Sequence, residues 1–273
     1  MIRRSPLALI AALAVLAGCG AVGDNDTVAR VGADVLTEAD VRAILDGTVP
    51  DTAEVPYDAA NAAISNWILD RVLRADLAAG GSPIDEVDGD LSDATLRESF
   101  DASFQAWTTA EPTAVTSTRL ASAFAAGPSE SGMVCAAHIL VADLPTADDL
   151  LAQLDDGADF ATLAGEHSTD PGSAANGGAL PCSSLSTFTN TYVFEFSAAV
   201  VDAMPGDVIG PVESQFGQHI IRVRPFDDLT EADIDTLLQD GLVRFAFAAD
   251  AAGVSVDPRF GEFDAARGLV PVG

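Results

Sequence analysis

Few side chains in this 273-residue chain can do chemistry, and their scarcity narrows the choices. All 13 basic residues are arginine, so there is no lysine for a Schiff base, a lysine nucleophile or a P-loop. Histidines stand only at 138, 167 and 219, and cysteines only at 19, 135 and 182. Cys182 with His138 could be read as a thiol nucleophile and its base, but no Asn or Asp orienter and no activating helix start accompany the pair. His167 is expected at a helix C-terminus, where the dipole favours a cation. Asp170 before Pro171 reads locally as an Asx turn. The 42 acids set the formal charge at −29, and no basic stripe exists to neutralise phosphates, so nucleic acid is excluded as a partner. No metal and no cofactor are called for.

The N-terminus bears on the thiols. Arg3 and Arg4 precede an apolar run over residues 7–16 that ends in Leu16-Ala17-Gly18-Cys19, a charged n-region, an h-region and a small-residue cleavage site. The run is too short to span a bilayer as a helix. It resembles a bacterial lipobox, which implies a signal peptide over residues 1–18 and a lipid on Cys19; an ordinary secretory signal is the other reading. Removing residues 1–18, which hold two arginines and no acid, leaves a charge of −31. Export would place Cys135 and Cys182 where two thiols pair more readily than they ligate metal or attack, two separate buried thiols being the alternative.

Around these groups the hydrophobic pattern lays out the elements. Residues 28–31 and 35–36 flank Gly32 as a short strand pair. Thr-x-x-Asp cap signatures at Thr37, Thr146 and Thr230 announce three helices. Apolar residues from Ala63 to Leu77 recur at helical spacing, predicting one long helix over residues 59–78, with further helices over 92–107 and 116–125. Residues 127–132 read as a linker. Beyond them come a strand at 134–141, helices at 147–154 and 160–166, a Gly/Ser/Asn-rich loop at 168–178, a helix at 197–203, and strands at 208–212 and 219–223. One C-terminal helix is expected over 234–252, its Leu237, Leu238, Leu242, Phe245 and Phe247 packing on the N-terminal helices. The fold class is α+β with a small mixed sheet.

Residues 133–226 carry successive blocks in compatible order: Cys135-Ala136-Ala137-His138-Ile139-Leu140-Val141, Gly157-Ala158-Asp159-Phe160, Ser168-Thr169-Asp170-Pro171-Gly172-Ser173, Gly177-Gly178-Ala179-Leu180, Gly206-Asp207-Val208-Ile209-Gly210-Pro211, and Phe216-Gly217-Gln218-His219-Ile220-Ile221. Together they resemble a parvulin-type peptidyl-prolyl isomerase. The flanks, including Val254-Ser255-Val256-Asp257-Pro258, are similar to the chaperone domain of SurA-like and PrsA-like exported foldases. The resemblance implies a parvulin domain inserted in a mainly helical SurA-N-like chaperone domain. The expected division is a signal peptide at 1–18, a tether at 19–27, the first part of the helical domain at 28–128, the isomerase domain at 129–228, and a C-terminal helix and tail at 229–273 returning to the helical domain.

By the same resemblance His138, Asp170 and His219 are the polar set of the site, and Leu180, Tyr192, Phe196 and Phe216 its substrate wall. Cys135 and Cys182 would bridge the first strand to the loop that leads into the site. Two departures stand out: Ala179 where many parvulins have an acid, and Pro181 after Leu180. Residues 142–145 hold no basic cluster, so specificity for a phosphorylated residue before proline is not expected. The implied partners are unfolded or folding exported polypeptides with X-Pro bonds, and the membrane through the lipid on Cys19, at the outer face of a bacterial cytoplasmic membrane. The alternative is a holdase lipoprotein whose parvulin-like domain only binds.

Overall fold

The computed structural model describes residues 26–46, 49, 55–84, 93–112, 115–264 and 268–270. The expected signal peptide and Cys19 lie outside the described residues.

The chain opens as a hairpin, β1 (Thr27–Val31) and β2 (Asp34–Thr37), turning at Gly32. Thr37 and Asp40 form the expected capping box, each satisfying the other's backbone N–H at the start of α1 (Glu38–Ile44). The long helix α2 (Tyr57–Ala79) packs on α3 (Asp93–Thr109), burying Ile64, Trp67, Ile68 and Leu73. α4 (Ser117–Phe124) and the one-turn α5 (Pro128–Ser131) follow, the latter in the stretch expected to be a linker.

The next strand is broken at Cys135 into β3 (Met133–Val134) and β4 (Ala136–Val141). Then come α6 (Leu144–Asp155), α7 (Phe160–His167), β5 (Ser183–Ser184), α8 (Leu185–Thr191), α9 (Phe194–Val201), β6 (Val208–Ser214) and β7 (Gly217–Val223). The central sheet runs β4-β7-β6 and is antiparallel throughout, not mixed, because β7 returns directly from β6 through a hairpin and pairs on its far edge with β4. α6 starts earlier than its Thr-x-x-Asp pattern suggested: Asp143 is the N-cap, accepting from Thr146 N–H at 3.0 Å, and Pro145 sits in the first turn.

The C-terminal segment is two helices rather than one, α10 (Glu231–Gln239) and α11 (Gly241–Ala252). Asp240 between them leaves helical geometry, and its Oδ1 accepts the N–H groups of Leu242 and Val243 at 2.9 and 3.4 Å. This break divides the residues expected to pack together. Phe245 joins the core with α2 and α3, whereas Leu237 is buried with Leu120, Phe124, Cys135 and Cys182, and Leu238 and Phe247 pack on that second cluster. Arg244 ties α11 to the N-terminal helices: it donates to Trp107 O and Ala110 O at 2.8 and 3.0 Å, reaches Asp76 at 3.2 Å and lies 4.1 Å over the Trp107 ring. The last strands are β8 (Val254–Val256), β9 (Glu262–Asp264) and β10 (Gly268–Val270); β8 pairs with β1, bringing the two ends of the described chain together.

Candidate active site

β4 and β7 are neighbours in register Leu140 to His219 and His138 to Ile221, so alternate positions bring the His138 and His219 side chains to one face of the sheet. Both are buried, at 7% and 4% exposure. Their Nδ1 atoms face each other at 3.2 Å. Beyond His138, Nε2 lies 2.9 Å from Asp170 Oδ2 and 3.0 Å from Ser173 Oγ, and Ser173 O–H donates to the same carboxylate oxygen at 2.5 Å. Beyond His219, Nε2 lies 2.8 Å from Ser214 Oγ, which also accepts Phe216 N–H at 3.1 Å.

Proton assignment along this row follows from one end. The Ser173 hydroxyl holds the Asp170 carboxyl down at about 2; burial opposes this, and bonds from His138 and from Gly172 N–H add to it, so the group is an anion and can only accept. His138 must therefore carry its proton on Nε2, and when neutral its Nδ1 is bare. The facing His219 Nδ1 then carries a proton, and its Nε2 accepts from Ser214 O–H. Burial lowers the His219 pKa to about 4, with His138 adding to the effect and the Asp170 charge opposing it, so the ring is neutral near pH 7.

The backbone around His138 is held as tightly as its ring. Gly178 has φ +79° and accepts His138 N–H at 2.9 Å; a Cβ there would lie 2.4 Å from His138 O. Leu180 N–H donates to Ala136 O at 2.9 Å, and Ala137 bridges Ala179. The segment after the loop thus runs beside β4, and the Cys135–Cys182 disulfide, with Cα atoms 4.4 Å apart, fastens the two where β3 and β5 also pair. This link stands next to Pro181, in the stretch where the acid common in parvulins is replaced by Ala179.

A cleft of about 330 Å3 opens over the histidines. Its walls include all seven residues expected of the site: His138, Asp170, Leu180, Tyr192, Phe196, Phe216 and His219. Phe196 stands edge-on to both imidazoles, at 5.4 and 5.1 Å between ring centres, and packs against Phe188 and Tyr192. Phe216 is 62% exposed at the rim. His167 takes no part; it ends α7 beside Glu166. Leu140, Thr191 and Val193 also line the cleft, and Ser173 and Ser214 complete the polar row, all without being singled out from sequence. Among the described residues no cluster of His, Cys, Asp or Glu is arranged to hold a metal ion.

The arrangement can grip an apolar ring in a cleft floored by a hydrogen-bonded row of two imidazoles and one carboxylate. The two histidines are hydrogen-bonded to one another, and His219 is neutral near pH 7.

In a comparison with known proteins, residues 130–225 match the family model described as the PPIC-type PPIase domain. The "Foldase protein PrsA" of a Geobacillus species is 42% identical over 103 residues, covering 35% of this chain and 36% of that one. The "Probable parvulin-type peptidyl-prolyl cis-trans isomerase" of Bordetella pertussis is 46% identical over 88 residues, covering 32% of this chain and 33% of that one. The alignments thus span about a third of the length of these relatives. The crystal structure of PrsA from Bacillus subtilis superposes with a TM-score of 0.34 at 22% identity, over 84% of this chain and 91% of that one.

Proposed function

We propose, from the match of residues 130–225 to the PPIC-type PPIase domain, that this protein is a peptidyl-prolyl cis-trans isomerase assisting the folding of exported polypeptides. The observation that carries the reading is the convergence of His138, Asp170 and His219 under an apolar cleft walled by Leu180, Tyr192 and Phe196.

The reaction needs no covalent step. Rotation about an X-Pro bond meets a barrier of about 18–20 kcal/mol because it breaks amide resonance. Resonance places negative charge on the carbonyl oxygen of the planar amide, so the planar forms are more polar than the twisted one. An apolar cleft that grips the proline ring favours the twisted amide by differential binding, and every factor of ten in rate needs about 1.4 kcal/mol of such preference. Leu180, Tyr192 and Phe196 supply the grip, and Phe216 at the rim covers the residue bound there. Asp170 fixes the tautomer of His138 and, through it, that of His219, so the polar floor meets the amide in one arrangement.

The cellular setting belongs to the same proposal. Cleavage before Cys19 and its acylation would anchor the protein on the outer face of the bacterial cytoplasmic membrane. Among the described residues no helix is long and apolar enough to cross a membrane. A surface this acidic is repelled by anionic lipid, so attachment falls to the acyl chain. The reading is tested by a protease-coupled proline isomerisation assay on the intact protein: Phe196→Ala lowers kcat/KM if the cleft is the site. An equal rate in this variant and the parent would contradict the placement. Mass spectrometry of the membrane fraction tests the anchor, which an unmodified Cys19 would exclude.

A further inference from the structure

The second cleft worth attention lies outside the isomerase site. It measures about 550 Å3 and is walled by Leu69 of α2, Phe100 and Phe104 of α3, and Leu242 and Phe245 of α11. Phe104 and Leu242 are 47% and 40% exposed although the core beneath them is closed. The isomerase side contributes one wall residue, Thr187 of α8. Four residues further along the same helix run, Thr191 lines the catalytic cleft. One helical turn of α8, about 6 Å at 1.5 Å per residue, therefore separates the walls of the two clefts.

This helix is also fixed to the apolar cleft. While Asp240 Oδ1 caps α11, its Oδ2 accepts Ser184 N–H at 2.9 Å and the Thr187 hydroxyl at 3.3 Å. Charge selects the occupant. Apart from the two imidazoles, the formal charges lining the clefts are acids, Asp240 in one and Asp170 in the other, on a chain of net charge −29. An acidic partner is repelled, and a polypeptide combining bulky apolar residues with arginine or lysine is attracted.

We infer that the apolar cleft is a second anchor for the same extended polypeptide whose X-Pro bond occupies the catalytic cleft, seating a large apolar side chain with basic neighbours. The inference rests on the isomerase reading for the linkage between clefts, but not for the anchor itself. Extended chain advances about 3.3 Å per residue, so the roughly 6 Å between the two walls takes at least about two residues, and the chain seated within each cleft lengthens the spacing between anchor and proline. Once the anchor binds, entry of the proline becomes intramolecular.

Two measurements on the intact protein test this. The first is fluorescence anisotropy of a labelled, proline-free peptide carrying Trp flanked by Arg. It binds the parent and binds Phe104→Asp and Leu242→Asp at least about tenfold more weakly; absence of binding, or equal binding by all three, overturns the anchor whether or not the protein is an isomerase. The second compares kcat/KM for a short Ala-Pro tetrapeptide with that for peptides bearing the Trp-Arg anchor six residues to either side of proline. In the parent the better anchored peptide exceeds the tetrapeptide by about tenfold, and in both variants the ratio falls to about one. A ratio near one in the parent, or an undiminished ratio in the variants, refutes the linkage; failure to turn over the tetrapeptide strikes the isomerase reading instead.

Discussion

Replacing Asp170 by Asn should reverse the protons along the whole histidine row. Asp170 Oδ1 accepts Gly172 N–H at 3.2 Å, and Oδ2 accepts from Ser173 and His138 at 2.5 and 2.9 Å. An asparagine that keeps the Gly172 bond turns its NH2 group toward His138 Nε2, where two donors would meet. His138 relieves this by moving its proton to Nδ1, which forces His219 to carry its own on Nε2, facing Ser214. The anionic acceptor is lost, and hydrogen bonds to charged groups contribute about 1.5–3 kcal/mol each. Fully expressed in the barrier, that is a fall of about one to two powers of ten in kcat/KM. Long-range 15N NMR of the imidazoles distinguishes the states. The parent should show His138 protonated at Nε2 and His219 at Nδ1, and the variant the converse. Identical tautomers in the two proteins, or an undiminished rate, would refute the reasoning.

Three other perturbations follow from the same geometry. His219 titrates at about 4 when folded and near 6.5 when unfolded, so between these values the unfolded chain binds the extra proton. Stability is therefore complete above about pH 6.5 and declines toward pH 4, by about 3 kcal/mol for this group; urea titrations should show a shallower slope in His219→Asn, and parallel curves would count against the assignment. Gly178→Ala places a Cβ against His138 O at a positive φ and should cost about 1–3 kcal/mol together with most of the activity; melting and rate measurements on a correctly folded variant check both. The Cys135–Cys182 bridge closes a loop of 47 residues, so Cys135→Ala with Cys182→Ala should lower stability by about 4 kcal/mol on chain-entropy grounds; an unchanged denaturation midpoint would exclude that contribution.

Local chemistry was legible in the sequence, and chemistry made by tertiary approach was not. The caps at Thr37 and Thr230 are readable because donor and acceptor lie three residues apart. The same signature misled at Thr146, where Asp143 lies three residues upstream and claims the cap. The helix α8, Leu-Ser-Thr-Phe-Thr-Asn-Thr, passed unseen because its residues are poor helix formers; it stands on the Ser184 cap and the burial of Phe188. The Asp240-Gly241 break was visible in principle, yet the apolar pattern on both sides concealed it. Ser173 and Ser214 carry no periodicity and no spacing rule that points to an imidazole. Only the approach of β4, β7 and the intervening loop makes them partners of His138 and His219.

The central claim is that the cleft over His138 and His219 accelerates rotation about X-Pro bonds. Exchange NMR on a short Ala-Pro peptide with catalytic amounts of the intact, disulfide-bonded protein measures this without a coupling protease. Cis and trans resonances should exchange well above the uncatalysed rate of one event in tens to hundreds of seconds, and exchange should slow on adding the Asp170→Asn change. Exchange at the uncatalysed rate with the intact protein would contradict the account.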